Sequence, residues 1–377
     1  MADDDSALYI GLISGTSADS IDAVLVRFRA GKPQTLASYA HPWPTGLRER
    51  MLAVAQGEAA LDLDAWGRLD VEIGQQFADA ALQLLEQGGT AASAVRAIGS
   101  HGQTLRHRPG GDHPFTLQLG DPCVIAERCR IDVVADFRRA DVAAGGQGAP
   151  LLPALHAMLL ARPGHTRVVL NLGGIANITV LGADGSVLGF DTGPANGLLD
   201  AWCLRQRGEP FDRGGAFAAS GRVDPALLDA LLLDPYFALP PPKSTGREHF
   251  HLEWLATHPR WDALDPADVQ ATLLELTARS VAAAITQHAP DAEEVLACGG
   301  GVHNGGLMQR LAVLLAPRVL QSTSRLGVDP DFLEATAFAW LARQRLLNLP
   351  GNLPTVTGAR GPRVLGAIYS APPSGES

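Results

Sequence analysis

The chain has 377 residues, 46% of them hydrophobic and 19% charged, which is enough for two to three domains at ~150 residues each and too apolar for a disordered protein. Thirty Lys and Arg against forty Asp and Glu leave a net charge of -10, so the basic footprint that grips a nucleic-acid backbone is absent. Residues 1–6 carry no basic stretch leading into an apolar core, no apolar run reaches the ~18 residues of a membrane span, and the four cysteines form no Cys-x-x-Cys pair. These features predict a cytoplasmic, thiol-reduced protein with neither nucleic acid nor membrane as partner.

In chain order, residues 8–28 are two apolar, β-branched runs around a Gly/Ser/Thr/Asp turn, which predicts a hairpin. Leu69, Ile73, Phe77 and Leu84 recur at helical spacing and predict a helix over 68–87. The Gly/Ala-rich run 143–150 reads as the neighbourhood of a domain boundary, with the Pro-rich 240–242 as a second break. Residues 167–194 repeat the plan of 8–28 with a third strand added, which suggests a duplicated β-unit. Asp265-Pro266 places a capping acid and a first-turn proline ahead of Val269, Leu273 and Leu276, opening a long helix, and a last helix from about 331 to 349 stops at Pro350-Gly351. Strands interleaved with helices predict an α/β architecture: an N-terminal lobe over 1–142, a C-terminal lobe over 143–349, and a segment 350–377 returning to the first.

P-loop, dinucleotide-turn, nucleophile-elbow and His-Glu-x-x-His motifs are all missing, which removes Walker ATPases, Rossmann dehydrogenases, α/β-hydrolases and zincins. Three small-residue turns follow apolar strands: Gly15-Thr16-Ser17 with Asp19 and Asp22, Gly173-Gly174 with Asn177, and Gly299-Gly300-Gly301. Any one of them could be a plain tight turn. Together they suit a polyphosphate, because glycines let backbone N–H groups approach an oxyanion, and a carboxylate such as Asp19 could hold Mg2+ through water. Asp191, ending an apolar strand, is either a general base at a strand's C-terminal edge or a turn-forming acid. His101 in Gly-Ser-His-Gly-Gln is a strand-end group or a structural histidine. Asp136, Arg138, Arg139 and Asp141 could fork onto a carboxylate or phosphate, or form a surface ion-pair network. Glu334 is one acid on a largely apolar helix rich in small residues, and Lys243-Ser244-Thr245-Gly246-Arg247-Glu248 reads as an ordered loop or a solvated turn.

GTSADSID (15–22), GSHGQT (99–104), DFRRAD (136–141), GGQGAPLLPALH (145–156), LNLGGIANI (170–178), FDTGPAN (190–196), PKSTGRE (242–248), CGGG (298–301) and LPGNLPTVTGA (349–359) together resemble the anhydro-N-acetylmuramic acid kinase family. The resemblance implies the two-lobed fold of actin, hexokinase-type sugar kinases and the Hsp70 ATPase, with a ribonuclease H-like unit in each lobe and ATP in the central cleft. It implies transfer of the γ-phosphate of ATP to O6 of 1,6-anhydro-N-acetylmuramic acid while water opens the ring at C1, a step of cell-wall recycling carried out by a homodimer. Asp191 takes the place of the family's base, and Glu334 that of a glutamate that positions water or touches substrate. Gly15, Thr16, Ser17, Ala18, Asp19, Ser20, Ile21 and Asp22 match a first phosphate loop, Gly173 and Gly174 a second, and Gly299, Gly300 and Gly301 lie near the adenosine. Ser100, His101, Arg138, Arg139 and Asn177 are expected on the sugar. Mg2+ is expected with ATP, its ligands unknown. Ser20, Ala140 and Ala195 depart from the family's Gly, Arg and Gly, and a serine at a left-handed position would be strained by roughly 1 kcal/mol or more. A non-catalytic ATP switch of the same fold is the alternative reading, with a kinase for another amino sugar or a plain glycosidase behind it.

Overall fold

The computed structural model describes residues 6–15, 18–57, 59–246, 249–258 and 260–373. The two opening apolar runs form β1 (Leu8–Ile13) and β2 (Ser20–Arg29), paired antiparallel with Ile13 opposite Asp22. The chain then reverses through Ala30 and Gly31, both at positive φ, and β3 (Lys32–Pro42) pairs antiparallel with β2. Residue-by-residue alternation of β1 separates two environments. Ile10 and Leu12 join Ile73, Phe77 and Leu84 of the helix Leu63–Gln87 in one core, whereas Gly11 faces the helix Leu333–Leu346.

β4 (Val95–Ser100) lies parallel to β1, and β7 (Val133–Ala135) lies parallel to β4. Between them β5 (Gln103–Arg108) and β6 (Phe115–Leu119) make a separate hairpin. Further along the chain come β8 (Arg167–Leu172), β9 (Ile175–Leu181) and β10 (Val187–Pro194), an antiparallel meander, then β11 (Glu294–Cys298) parallel to β8 and β12 (Val319–Ser322) parallel to β11. β13 (Ala367–Tyr369) closes the first sheet by pairing antiparallel with β7. The sheets run β3-β2-β1-β4-β7-β13 and β10-β9-β8-β11-β12. Each therefore contains a third-second-first-fourth-fifth order with the first three strands antiparallel and the rest parallel, and the duplicated unit is realised as one topology used twice.

The chain divides into two units, Met1–Met158 with Phe332–Ser377, and Leu159–Asp331. The expected boundaries at 142/143 and 349/350 both fall inside the first unit. The run 143–150 is no linker: Asp141, fully buried, accepts from the Gly148 N–H at 2.7 Å, from Asn352 Nδ2 at 2.6 Å and from Thr357 Oγ1 at 2.7 Å. Two stretches distant in sequence, 141–148 and 352–357, are tied at one carboxylate. The helix Leu333–Leu346 belongs to the first unit because it lies on β1 and β4. A Cβ at Gly11 would stand 1.8 Å from the Ala335 carbonyl oxygen, and one at Gly99 2.0 Å from that of Phe338, so only glycine permits this approach. Asp62 and Asp265 cap the helices that follow them, accepting from the N–H groups of Ala65 and Ala267.

Candidate active site

In the second unit the C-terminal ends of β8 and β11 bring two of the glycine turns together. Gly299 has φ 80°, and a Cβ there would meet Asn171 Oδ1 at 2.5 Å; at Gly301 it would meet Leu172 Cβ, also at 2.5 Å. Gly299–Gly301 thus rests against the residue preceding Gly173-Gly174. The carbonyls of that second turn accept from the start of the helix Asn196–Arg207: Gly173 from the Asn196 N–H at 3.0 Å, Gly174 from those of Ala195 at 3.1 Å and Gly197 at 3.0 Å. Fixed by their carbonyls, the two turns suit anion binding through their remaining groups.

Asp191 lies on β10 opposite Asn177, which on its other side faces Asn171, so three polar side chains share one sheet face in cross-strand register. The pairing slips between Asp191 and Gly193, a bulge of the kind that re-aims a side chain beside a site. Gly193, at φ 147°, lies where a Cβ would be 2.7 Å from the Phe237 ring. The Asp191 N–H donates to the Lys243 carbonyl at 3.2 Å, the Asp191 carbonyl accepts from Tyr236 Oη at 2.7 Å, and carboxylate Oδ2 accepts from the Thr245 N–H at 3.0 Å. Burial, with the charge of Asp191, pushes the Tyr236 hydroxyl well above its usual range, so it is a permanent donor.

The first unit carries the remaining expected residues. Gly15 accepts through its carbonyl from the Ala18 N–H at 3.0 Å and from Gln103 Nε2 at 3.2 Å. Thr16 and Ser17 lie outside the described residues. Ala18, not Ser20, is the residue with left-handed backbone here, at φ 48°. The strain expected of a serine in the glycine position therefore does not arise, and Ser20 Oγ instead donates to Asp22 Oδ1 at 2.7 Å. Ile21 is wholly buried in the core and can offer a ligand no side chain. Asp19 is 69% exposed and pairs with Arg48 at 3.1 Å; Arg48 also donates to the Ala18 carbonyl at 2.7 Å and so shapes the loop from outside it.

Ser100, His101, Asp136 and Arg139 line a hollow of about 150 Å³ together with Trp66 and Tyr369. Ser100 Oγ is buried there with no hydrogen-bond partner among the described residues. His101 is built differently from expectation. Its Nδ1 lies 2.9 Å from the Gly102 carbonyl, and its Nε2 is 3.0 Å from Arg138 Nε, which can only donate. The imidazole is therefore the neutral Nδ1–H tautomer, and burial followed by the Arg138 charge holds its pKa well below the ordinary value. Both ring nitrogens are occupied by protein, so His101 orients Arg138. Arg138 spends another donor on the Gly148 carbonyl at 2.8 Å; burial draws its pKa down to about 10 against the opposing charges of Glu334 and Asp141. Glu334, in the first turn of the helix Leu333–Leu346, is thus an electrostatic partner of Arg138. Asp136 has left-handed backbone at φ 62° and pairs with the exposed Arg139 at 3.5 Å. Of the four charged residues in that run, Asp141 is structural, Arg138 is interior, and only Asp136 and Arg139 face the hollow.

Sequence reasoning assigned no role to Arg48, Asn171, Asn196 or Tyr236; Asn171 and Asn196 stand within the family-like runs 170–178 and 190–196, whereas Arg48 and Tyr236 stand in no recognisable pattern. It noted the loop containing Lys243 and Thr245 without a role.

Two copies of this sheet, with a glycine turn after the first strand of the second, define the class of ATPases to which sugar kinases, actin and Hsp70 belong. A family profile described as Anhydro-N-acetylmuramic acid kinase matches residues 7–371. The anhydro-N-acetylmuramic acid kinase of Xanthomonas campestris pv. campestris is 58% identical over 369 residues, covering 97% of this chain and 98% of its own. That of Coxiella burnetii is 51% identical over 363 residues, covering 96% and 97%. Among solved structures, the activator of the 2-hydroxyisocaproyl-CoA dehydratase from Clostridium difficile with bound ADPNP aligns at 12% identity and a TM-score of 0.45 over 90% of this chain and 96% of that one. The chain belongs to the anhydro-N-acetylmuramic acid kinase family, and it is an ATP-dependent sugar kinase.

Proposed function

We propose that Asp191 is the base in the reaction of this family: ATP, 1,6-anhydro-N-acetylmuramic acid and water give N-acetylmuramic acid 6-phosphate and ADP, in peptidoglycan recycling. The C1–O6 bond breaks as O6 bonds to the γ-phosphorus, the bond from that phosphorus to the β,γ-bridging oxygen breaks, and a water oxygen bonds to C1 after giving its proton to the carboxylate. Only one protein acid–base group is required. Phosphorus captures the departing O6, so the general acid of an ordinary glycosidase has no task. The observation that carries this reading is the carboxylate at the β10 bulge, held as an acceptor by the Thr245 N–H and set on the sheet that also bears both glycine turns.

Gly173, Gly174 and Gly299–Gly301 are proposed for ATP, and residues 15–22 are proposed separately as a phosphate loop. Ser100 and Arg139 are proposed for the sugar, with Asn177 beside Asp191. Mg2+ would neutralise the β- and γ-phosphates. The exposed Asp19 is the carboxylate proposed to hold that cation through water. The protein is proposed to act in the cytoplasm as a homodimer, without nucleic-acid or membrane partners. No described helix is long and apolar enough to cross a membrane.

The test is ADP release with Mg-ATP and the anhydro sugar, product masses recorded, for the native chain and Asp191→Asn. A product heavier by the elements of HPO3 and H2O, formed only with sugar present, is expected. The variant should lose at least ~100-fold in kcat with its KM values little changed; full activity in Asp191→Asn would remove Asp191 from the role.

A further inference from the structure

We infer that Lys243 is a positioning residue for Asp191, clamping the backbone loop that holds the carboxylate; this rests on Asp191 being the base. Lys243 is one of only two lysines in the chain. Its ammonium is turned inward: Nζ donates to the carbonyls of Tyr236 at 3.1 Å and Phe237 at 3.2 Å, and lies 4.7 Å from the Tyr236 ring centroid and 5.9 Å from that of Phe190.

The contacts close a circuit. The ammonium holds the Tyr236 carbonyl; Tyr236 Oη donates to the Asp191 carbonyl at 2.7 Å; the Asp191 N–H donates to the Lys243 carbonyl at 3.2 Å. Two residues on, the Thr245 N–H reaches the carboxylate at 3.0 Å. Asp191 is thereby fixed at its amide, its carbonyl and its side chain, and the Lys243 side chain is the part of the circuit that ties 243–245 directly to Pro235–Ala238 rather than through Asp191. A lysine suits the position because a compact head with three donors can serve two carbonyls while resting on aromatic faces. Methionine would fill the space and donate nothing. Among the described residues the other titratable groups around the clamp are Tyr236, His249, edge-on to the Tyr236 ring at 5.8 Å, Asp234, which accepts from the Tyr236 N–H at 2.9 Å and lies 3.0 Å from His249 Nε2, and His288, edge-on to Phe190 at 4.9 Å and pushed below its usual range by burial and the Lys243 charge.

The experiment uses the full chain with Mg-ATP and the anhydro sugar, comparing Lys243→Met, Lys243→Arg, Tyr236→Phe, Asp191→Asn and the double variant Asp191→Asn/Lys243→Met. A carboxylate displaced by about 1 Å should cost roughly 10- to 100-fold in kcat. For Lys243→Met that loss is expected with both KM values kept within about twofold. The acidic limb of its kcat–pH profile should also move upward, because a carboxylate that loses an N–H donor keeps its proton to higher pH. Lys243→Arg, still a donor to both carbonyls, should recover most of kcat. The double variant should be no slower than Asp191→Asn alone, since a residue acting through Asp191 has nothing left to act on.

Native kcat and an unmoved pH profile in Lys243→Met overturn the inference, as does a raised KM for ATP at unchanged kcat, which would make the ammonium a nucleotide contact. If Lys243→Met does not fold by circular dichroism, Tyr236→Phe decides. It keeps the ring and loses one donor, and it should show the same split with a smaller fall, roughly fivefold; native kinetics there overturn the inference. Activity in Asp191→Asn refutes the base itself and is seen independently of every Lys243 result.

Discussion

His101 and His156 are buried as neutral bases, and their burial has a sign that can be measured. Burial and the Arg138 charge hold His101 well below its ordinary pKa, and burial alone takes His156 down to about 3. An unfolded histidine protonates near pH 6.5, so below that pH the unfolded chain binds protons that the folded chain refuses. This contribution to stability is present above pH 6.5 and is lost as pH falls toward the folded values. For His156 this should cost about 2 kcal/mol between pH 6.5 and 5, at about 1.4 kcal/mol per pH unit, with His101 adding in the same direction. Thermal unfolding followed across that range should show a falling Tm, with a shallower slope in His156→Leu; equal slopes would show that His156 does not titrate between the two states.

At the scale of the element, the helix Leu333–Leu346 and its bed on β1 and β4 connect packing to chemistry, because that helix carries Glu334. Gly11→Ala or Gly99→Ala would push a methyl into a backbone carbonyl, and the helix must move or the sheet must open. A loss of ~3 kcal/mol or more is expected, with a raised KM for the sugar. Gly46→Ala, on the exposed side of the helix Thr45–Gln56 with nothing within 4 Å of the new carbon, should leave KM unchanged and raise stability by up to about 1 kcal/mol. Calorimetry and kinetics on the three variants separate close packing from the general effect of losing a glycine. The elements themselves were largely legible: β1 and β2 and the three strands β8 to β10 follow from their apolar runs, and the helix after Asp265 from its cap and apolar period, whereas the helix read over 68–87 from its apolar period begins five residues earlier, at Leu63 behind the Asp62 cap. β3 was not, since most of its side chains face outward and leave no hydrophobic pattern. The glycines of 143–150 misled for a related reason. They read as slack, yet a Cβ at Gly146 would lie 2.2 Å from Asp141 Oδ2, so they are there for close approach.

For the whole molecule, the repeat of one sheet plan was visible in the sequence because both copies place an apolar strand, a small-residue turn and a second apolar strand in the same order. The site was legible only in part. Asp191 and the glycine turns announce themselves by residue type, but Tyr236, Arg48 and the orientation of His101 depend on which distant segments meet. The proposed homodimer is open to direct measurement: light scattering should give twice the 39.6 kDa chain mass, and a monomer mass at working concentration would reject it.

The first unit is assembled from both ends of the chain, while the second is one uninterrupted stretch, Leu159–Asp331. On a ribosome these two have opposite schedules. The middle stretch has all its strands in hand before the last residues are made, whereas β1 and β4 emerge early and must wait for Leu333–Leu346 to cover them and for β13 to complete their sheet. The apolar back of that sheet is exposed for nearly the whole of synthesis, the interval in which bare strands aggregate. A frameshift or stop near the 3′ end of the reading frame would therefore strike the amino-terminal unit, leaving a finished middle attached to a beginning that cannot close.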